Sequence, residues 1–309
     1  MAQDQHIADF EAERPRLLRI GYRMLGSLAE AEDVVQDAWL RWERVEGGVD
    51  SPAAYLTRVV TRLCLDQLKS ARARREVYVG PWLPEPLMEP AEAEDRIADD
   101  VTLSLMMAME RLSPLERATF LLHDIFDVAL TEVSAILGRE PAAVRQLASR
   151  ARRHVRAERP RYPVGAAEAD RIASAFFIAA RDGDAAALSA LLARDVQIHA
   201  DGGGKVIAFH NVIHGAERAI RLFKSQRRKQ VPVPVLLRTA MIDGLPGYVS
   251  IDRASVLQTT ALDVRDGRIV AIYMMRNPDK LGHVRMAMTR AAPADLPLQS
   301  GAEGSKEEP

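Results

Sequence analysis

Proline placement constrains this 309-residue chain more than any other feature. Pro81-Trp82-Leu83-Pro84-Glu85-Pro86 sets three prolines within six residues. Such a stretch can be neither helix nor central strand, because each proline removes a backbone donor and fixes φ. A second break falls at Pro160 and Pro163. The two breaks divide the chain into segments 6–76, 101–160 and 166–290, with a proline- and acid-rich linker at 77–100. The small, polar, acidic end, 291–309, reads as disordered. A chain of this length accommodates two or three domains.

From Phe10 to about Arg75 the apolar spacing is helical. Ser27-Leu28-Ala29-Glu30 has the form of a capping box, and Ser51-Pro52 is an N-cap with proline at the first helical position. The helix opened at Pro52 places Leu56, Val59, Val60 and Leu63 on one side. At 100° per residue, Arg58, Arg62, Lys69 and Arg72 fall within about 80° of one another on the other. One face packs and the other is free to meet phosphate.

Helices return at Val101. Ser113-Pro114-Leu115-Glu116 joins a capping box to a proline at N1, and Thr131 to Gly138 is a short helix closed by glycine. Pro141 opens the next helix, with a core stripe of Val144, Leu147, Ala148, Ala151 and Val155. Off that stripe stand Arg145, Gln146, Ser149, Arg150, Arg152 and Arg153. Two short helices around a glycine turn, the second one basic, form the helix-turn-helix pattern.

The third segment reads as α+β. Glu168 to Arg181 and Asp184 to Arg194 have helical spacing. Ser255 to Val264 and Ile269 to Arg276 alternate and meet at Asp266-Gly267, a hairpin signal, whereas Val231-Pro232-Val233-Pro234-Val235 cannot be a fully bonded central strand. The expected form is a curved antiparallel sheet wrapped on helices.

Net charge is only −1, yet it is segregated along the chain. Arginine and lysine crowd 58–75 and 145–161, while acid collects at Glu85, Glu89, Glu92, Glu94, Asp95, Asp99 and Asp100. Basic clusters on a neutral chain are footprints for phosphate, although a solvated helix face gives the same pattern. The N-terminus Met1-Ala2-Gln3-Asp4-Gln5 is no signal peptide, and no stretch is long and apolar enough to span a bilayer. A cytoplasmic protein without membrane contact is expected. The lone Cys64 allows no internal disulfide or zinc site, and on a helix it reads as a small buried hydrophobe.

The first two segments together resemble the extracytoplasmic-function subfamily of the sigma-70 RNA polymerase sigma factors. Ala31-Glu32-Asp33-Val34-Val35-Gln36-Asp37-Ala38-Trp39-Leu40 resembles region 2.2. The resemblance implies docking on core RNA polymerase through Asp33, Gln36, Asp37 and Trp39. The basic helix, with Asp66-Gln67-Leu68, resembles regions 2.3 and 2.4, which implies contact of Arg58, Arg62, Lys69 and Arg72 with the minus-10 promoter element. Leu112 to Arg117 and Glu132 to Arg153 resemble region 4, which implies reading of the minus-35 element by Arg145, Gln146, Ser149, Arg150 and Arg153. Arg156 and Arg159, further along, would touch phosphate. Cys64-Leu65-Asp66 and the scarcity of aromatics along the basic helix depart from typical region 2, where unpaired bases are held by stacking.

The remainder is similar to a subgroup, the sigma-J type, with a SnoaL-like (NTF2-like) C-terminal extension. The motifs that carry this likeness are Trp82-Leu83-Pro84-Glu85-Pro86, Asp201-Gly202-Gly203-Gly204-Lys205 and Asn277-Pro278-Asp279-Lys280-Leu281. The resemblance implies two all-α sigma domains followed by a cone-shaped α+β domain that contacts the sigma modules and changes their affinity for polymerase. Trp82 supports such contact on its own, since a large aromatic in a solvated linker is costly.

Each of these readings has a plainer counterpart. Asp33, Gln36 and Asp37 also suit the wet side of an amphipathic helix. In the third segment His199, Asp201, His210, His214 and Arg276 offer groups for acid–base chemistry, but His210-Asn211 and His214-Gly215 match no metal or triad spacing. The triple glycine lacks the GK[ST] ending of a nucleotide loop. No catalytic residue, metal or cofactor is therefore expected, and the free chain is expected to be a monomer. Two function classes remain: a transcription-initiation factor, and a DNA-binding module fused to a small-molecule-sensing or enzymatic NTF2-like domain. The first needs core polymerase, whereas the second binds duplex DNA alone as a symmetric dimer.

Overall fold

The computed structural model describes residues 2–45, 47, 49–76, 78–88, 101–155, 165–228, 233–252 and 255–291. The acidic run from Glu89 to Asp100, Arg156, Arg159, Pro160, Pro163, Val231-Pro232 and the tail past Ala291 lie outside the described residues, as does the side chain of Arg72.

The first unit is three helices: α1 (Ala2–Leu25), α2 (Leu28–Trp42) and α3 (Pro52–Glu76). Gly26, at φ +75, ends α1, and Ser27 caps α2 by accepting the Glu30 amide at 3.2 Å. Gly21 lets the Ala31 backbone approach closely; a Cβ there would lie 3.1 Å from the Ala31 methyl. Trp42 stacks on His6 and donates its indole N–H to the His6 carbonyl, which fixes the start of α1 against the end of α2.

The second unit is α4 (Leu103–Met109), α5 (Pro114–Phe120), a π-helical turn at Leu121–Ile125, α6 (Leu130–Leu137) and α7 (Pro141–Val155). Both arms of the Ser113/Glu116 capping box form. Gly138, left-handed at φ 61, closes α6 and turns the chain into α7. The two helical units do not stand apart. Leu17, Val34, Val60 and Cys64 belong to the same buried core as Leu105, Phe120, Val133 and Val144. Burial pushes the Cys64 thiol far above its ordinary range, so it is an inert hydrophobe.

The third unit runs α8 (Ala166–Asp182), α9 (Ala185–Leu191), β1 (Leu192–Asp201), β2 (Ile213–His214), α10 (Ala216–Arg228), β3 (Val235–Ile242), β4 (Leu245–Ile251), β5 (Leu257–Arg265), β6 (Arg268–Met275) and α11 (Gly282–Ala291). The strands form one sheet ordered β2-β1-β6-β5-β4-β3. β5 and β6 pair antiparallel about Asp266 and Gly267, both at positive φ, as the hairpin signal requires.

Two sequence expectations change here. The sheet is mixed rather than purely antiparallel, because β1 pairs parallel with β6. The first and last strands meet inside the sheet, and the long connection through α10 and β3–β5 supplies the crossover that parallel pairing needs. The second helical segment does not reach Arg194: α9 ends at Leu191 and the chain enters β1. The alternating pattern does not leave a wet face, since β5 is buried from Leu257 to Asp263. One face of the sheet packs on Phe176, Phe177 and Phe223 of α8 and α10. The other packs on Leu83 of the linker, Leu103 of α4 and Val284 and Met288 of α11. A sheet covered on both sides has no need of a polar face.

Candidate functional site

The proline-rich linker is held from two sides. Asp201, at the end of β1 and fully buried, accepts from the Tyr78 hydroxyl at 2.6 Å and from the Leu83 amide at 2.9 Å. Lys280 donates to Asp201 at 2.8 Å and to the Leu83 carbonyl at 2.6 Å, with its ammonium 4.4 Å from the centre of the Trp82 ring. The Asn277 amide donates to the Tyr78 hydroxyl at 2.9 Å, and His283 meets the Pro86 carbonyl at 2.6 Å. Proline-rich backbone has few donors: the Leu83 amide and the Leu83 and Pro86 carbonyls are met by side chains, and the Glu85 amide by the Gly26 carbonyl at 2.9 Å. Burial first, then the Asp201 carboxylate, pushes the Tyr78 phenol far above its ordinary range against the opposing hydrogen bond from Asn277, keeping it a donor.

The glycines of Asp201-Gly202-Gly203-Gly204-Lys205 serve close approach. A Cβ at Gly203, itself at φ +61, would sit 2.3 Å from the Asn277 side chain, and one at Gly204 would meet Val79 at 3.3 Å. Gly203 donates its amide to Asp201, and Lys205 pairs with Asp279. The structure thus brings Trp82, Leu83 and Pro84 together with Asp201 to Lys205 and with Asn277 to Leu281.

From the other side the linker is tied to the first helical unit. Glu85 accepts from the Ser27 hydroxyl at 2.7 Å and from the Leu28 amide at 2.8 Å, adding a carboxylate to the N-terminus of α2. Trp82 packs over Gly26, where a Cβ would lie 2.5 Å from the indole. Trp82 itself is half-buried rather than enclosed.

A second junction was not marked by any of the motifs. Asp243, at the tip of the β3–β4 hairpin with φ 44, is buried. It accepts from the Tyr22 hydroxyl at 2.8 Å, from Arg23 Nη1 at 3.1 Å and from the Leu87 amide at 3.0 Å. Its own amide donates to the Leu87 carbonyl, and its carbonyl accepts from Leu103 at the start of α4. One residue thereby joins α1, the linker, α4 and the sheet. Burial raises the Asp243 carboxyl above the ordinary carboxylate range, against the opposing pull of Arg23. In the sequence Asp243-Gly244 reads only as a hairpin dipeptide, and nothing local names Tyr22 or Arg23 as its partners. A third contact joins α4 to the sheet: Ser104 donates to Asp263 at 2.8 Å, and Arg265 holds the same carboxylate at 2.7 Å.

Three faces remain outward. On α2, Asp33, Gln36, Asp37 and Leu40 are exposed and share one stripe, whereas Trp39 is partly buried edge-on against Phe10. On α3, Arg58 and Lys69 are exposed, and Lys69 pairs with Asp66 at 2.7 Å. Arg62 points to the second helical unit, where its Nε donates to the Ile136 carbonyl at 3.3 Å. On α7, Arg145, Gln146, Ser149, Arg150 and Arg153 are exposed opposite the buried Val144, Ala148 and Ala151. Arg150 lies 3.7 Å from Glu116, and Arg152 pairs with Asp124 at 2.6 Å.

The imidazoles and acids of the third unit do not converge. His199 stacks on Tyr273, Asp201 is spent on the linker, Arg276 pairs with Asp252, and His210 and His214 are exposed. Among the described residues no group of three or more His, Cys, Asp or Glu is placed to hold a metal ion, and no helix is long and apolar enough to cross a membrane.

Comparison with known proteins matches the same architecture. The family model for sigma-70 region 2 covers residues 10–74, and that for sigma-70 region 4 covers 102–155. The ECF RNA polymerase sigma factor SigJ of Mycobacterium tuberculosis is 37% identical over 306 residues, 93% of this chain and 96% of its own length. A probable ECF RNA polymerase sigma factor, SigI, of the same species is 31% identical over 284 residues, covering 90% and 95%. The crystal structure of M. tuberculosis SigJ superposes with a TM-score of 0.74 at 34% identity, covering 89% of this chain and 98% of that one. With two sigma modules in order, an α+β domain behind them and similarity running the length of the chain, this protein belongs to the extracytoplasmic-function subfamily of the sigma-70 RNA polymerase sigma factors.

Proposed function

We infer that this chain is an alternative sigma factor that binds core RNA polymerase and directs it to promoters, with its α+β domain modulating that activity. The observation that carries the reading is the outward face of α7 in a chain matched along its length by an ECF sigma factor. Arg145, Gln146, Ser149 and Arg153 present donors at the spacing of a major-groove helix, on a helix whose opposite side is committed to the core. Arg58, Arg62, Lys69 and Arg72 on α3 are assigned to the minus-10 element. The polar stripe of Asp33, Gln36 and Asp37, ending at the exposed Leu40, is assigned to polymerase, with Trp39 bracing it from behind.

The α+β domain acts by docking rather than by catalysis in this reading. Its most suggestive acid, Asp201, and its Lys280 are used to hold the linker. The free protein is a monomer, since the sheet face turned away from α8 and α10 is covered by its own linker, α4 and α11. Transcription in vitro with core enzyme tests the reading: the full chain should direct initiation from one promoter class only when core is present. Equal binding of free protein and holoenzyme to the promoter duplex would refute it.

A further inference from the structure

α10 carries the densest run of unpaired positive charge on the α+β domain, and neither sigma module contains it. Arg218, Arg221, Lys224, Arg227 and Arg228 are all exposed. Among the described residues none of the five has a carboxylate within 4 Å, not even Glu217, one turn before Arg221. On α7, by contrast, Arg150 and Arg152 both lie within 4 Å of acids.

Helical spacing gathers these charges. At 100° per residue Arg218, Arg221, Lys224 and Arg228 lie within about 120° of one another, opposite the buried Ala219 and Phe223. Over Arg218 to Arg228 the helix rises about 15 Å, with a cation of that face every 4.5–6 Å or so. The helix cannot roll to hide them. Phe223 packs edge-on against Phe176 in the core, and Gly183, left-handed at φ +65, lets the Lys224 backbone approach to 3.3 Å of where a Cβ would be.

We propose that the exposed face of α10 is a third nucleic-acid contact, which binds the phosphate backbone of duplex DNA when the sigma factor engages a promoter. This rests on the sigma-factor reading above. Chemistry selects the occupant. Arginine-rich rows without an aromatic on the same face suit phosphate and not stacked bases, so the contact is sequence-blind and double-stranded. Insertion into a membrane interface would need the apolar side of the helix, which is already spent on the core. The contact adds phosphate neutralisation to modules that each bind modestly, and its place in the same chain supplies it at high effective concentration.

The test uses the full chain with Arg221→Gln, Lys224→Gln and Arg228→Gln combined, all at exposed positions, with thermal unfolding run alongside. Binding to a 30-base-pair duplex of arbitrary sequence is measured between 50 and 200 mM NaCl. Loss of three phosphate contacts should lower the log–log salt slope by about 2 to 3 and weaken binding roughly ten- to a hundredfold at the lower salt. Arg221→Lys combined with Arg228→Lys should retain the wild-type slope. An unchanged slope overturns the proposal. So does a loss that appears only in core polymerase binding or only in binding to phosphatidylserine vesicles, which would give the face to a protein or a lipid partner. Promoter-directed transcription by the wild-type chain is followed in parallel. If wild type fails there while the variant still loses duplex affinity, the sigma reading falls and this contact stands.

Discussion

Asp243 shows how one side chain can hold three parts of a chain together. It and Arg23 are both almost fully buried, and such a pair is worth little until one member is removed. Asp243→Asn keeps the left-handed turn conformation but removes the buried carboxylate charge that faces the Arg23 guanidinium. Chemical denaturation should show a loss of about 3–5 kcal/mol. Gly26→Ala should also destabilise, by about 1–3 kcal/mol, since the residue has φ +75 and the methyl would run into Trp82. Its signature is a shift in Trp82 fluorescence with little change in helix content. His199 supplies a pH dependence. Burial, then His214 and Arg111, lower its pKa to about 4 from 6.5. The unfolded chain therefore binds a proton that the folded chain refuses between those values, so stability falls as pH drops from 6.5 towards 4. Replacing His199 with Gln should flatten that part of the stability–pH curve.

At the scale of elements, α7 was legible because its two sides obey different chemistry. Arg145→Ala should cost about 1–3 kcal/mol at a cognate minus-35 site and relax its sequence preference. The same change at Arg152, which is held by Asp124, should act mainly through stability. Equal losses on all DNA sequences for Arg145→Ala would reduce α7 to a phosphate patch. α2 behaves differently: Asp33 and Asp37 are exposed and far from the buried Val34, Val35 and Ala38 side, so reversing both charges should abolish co-purification with core enzyme without unfolding. Unaltered co-purification would make the stripe a solvated face. The linker is the element whose form depends most on its neighbours. Its prolines forbid regular structure, and its path is set by Glu85 at the start of α2 and by Asp201 and Lys280 of the α+β domain.

For the whole molecule the main consequence is closure. α3 packs on α5 and α6, and Arg62 donates to Ile136, so the two DNA-binding modules touch. Minus-10 and minus-35 elements lie about 25 base pairs apart, on the order of 85 Å of duplex at 3.4 Å per step. If α3 takes the minus-10 element and α7 the minus-35 element, as proposed above, modules that touch have to separate to reach both. Energy transfer between dyes on α3 and α7 should therefore drop when core polymerase and promoter are added. A constant signal would mean that the closed form is the active one. Truncation before Glu168 removes Asp243, Asp201 and Lys280 together and exposes Leu83 and Leu103. Core affinity or promoter output should change, whereas removal of 292–309 should leave both as they were.

The sequence by itself determined the helical character of the first two units, the Ser27 and Ser113 caps and the outward basic face of α7, because helix periodicity, Ser/Thr caps and terminating glycines act within one turn of chain. It also determined the β5–β6 hairpin, whose Asp266-Gly267 turn is a local matter. The motifs around Trp82, Asp201 and Asn277 could be singled out as a set, but their mutual bonds span more than a hundred residues. Only the tertiary structure decided that Asp243 would meet Arg23, that Glu85 would cap α2, that β1 would run parallel beside β6, and that both faces of the sheet would be dry. Each of these depends on which surfaces meet after folding, and burial and charge pairing between distant segments leave no periodic trace in either partner's sequence.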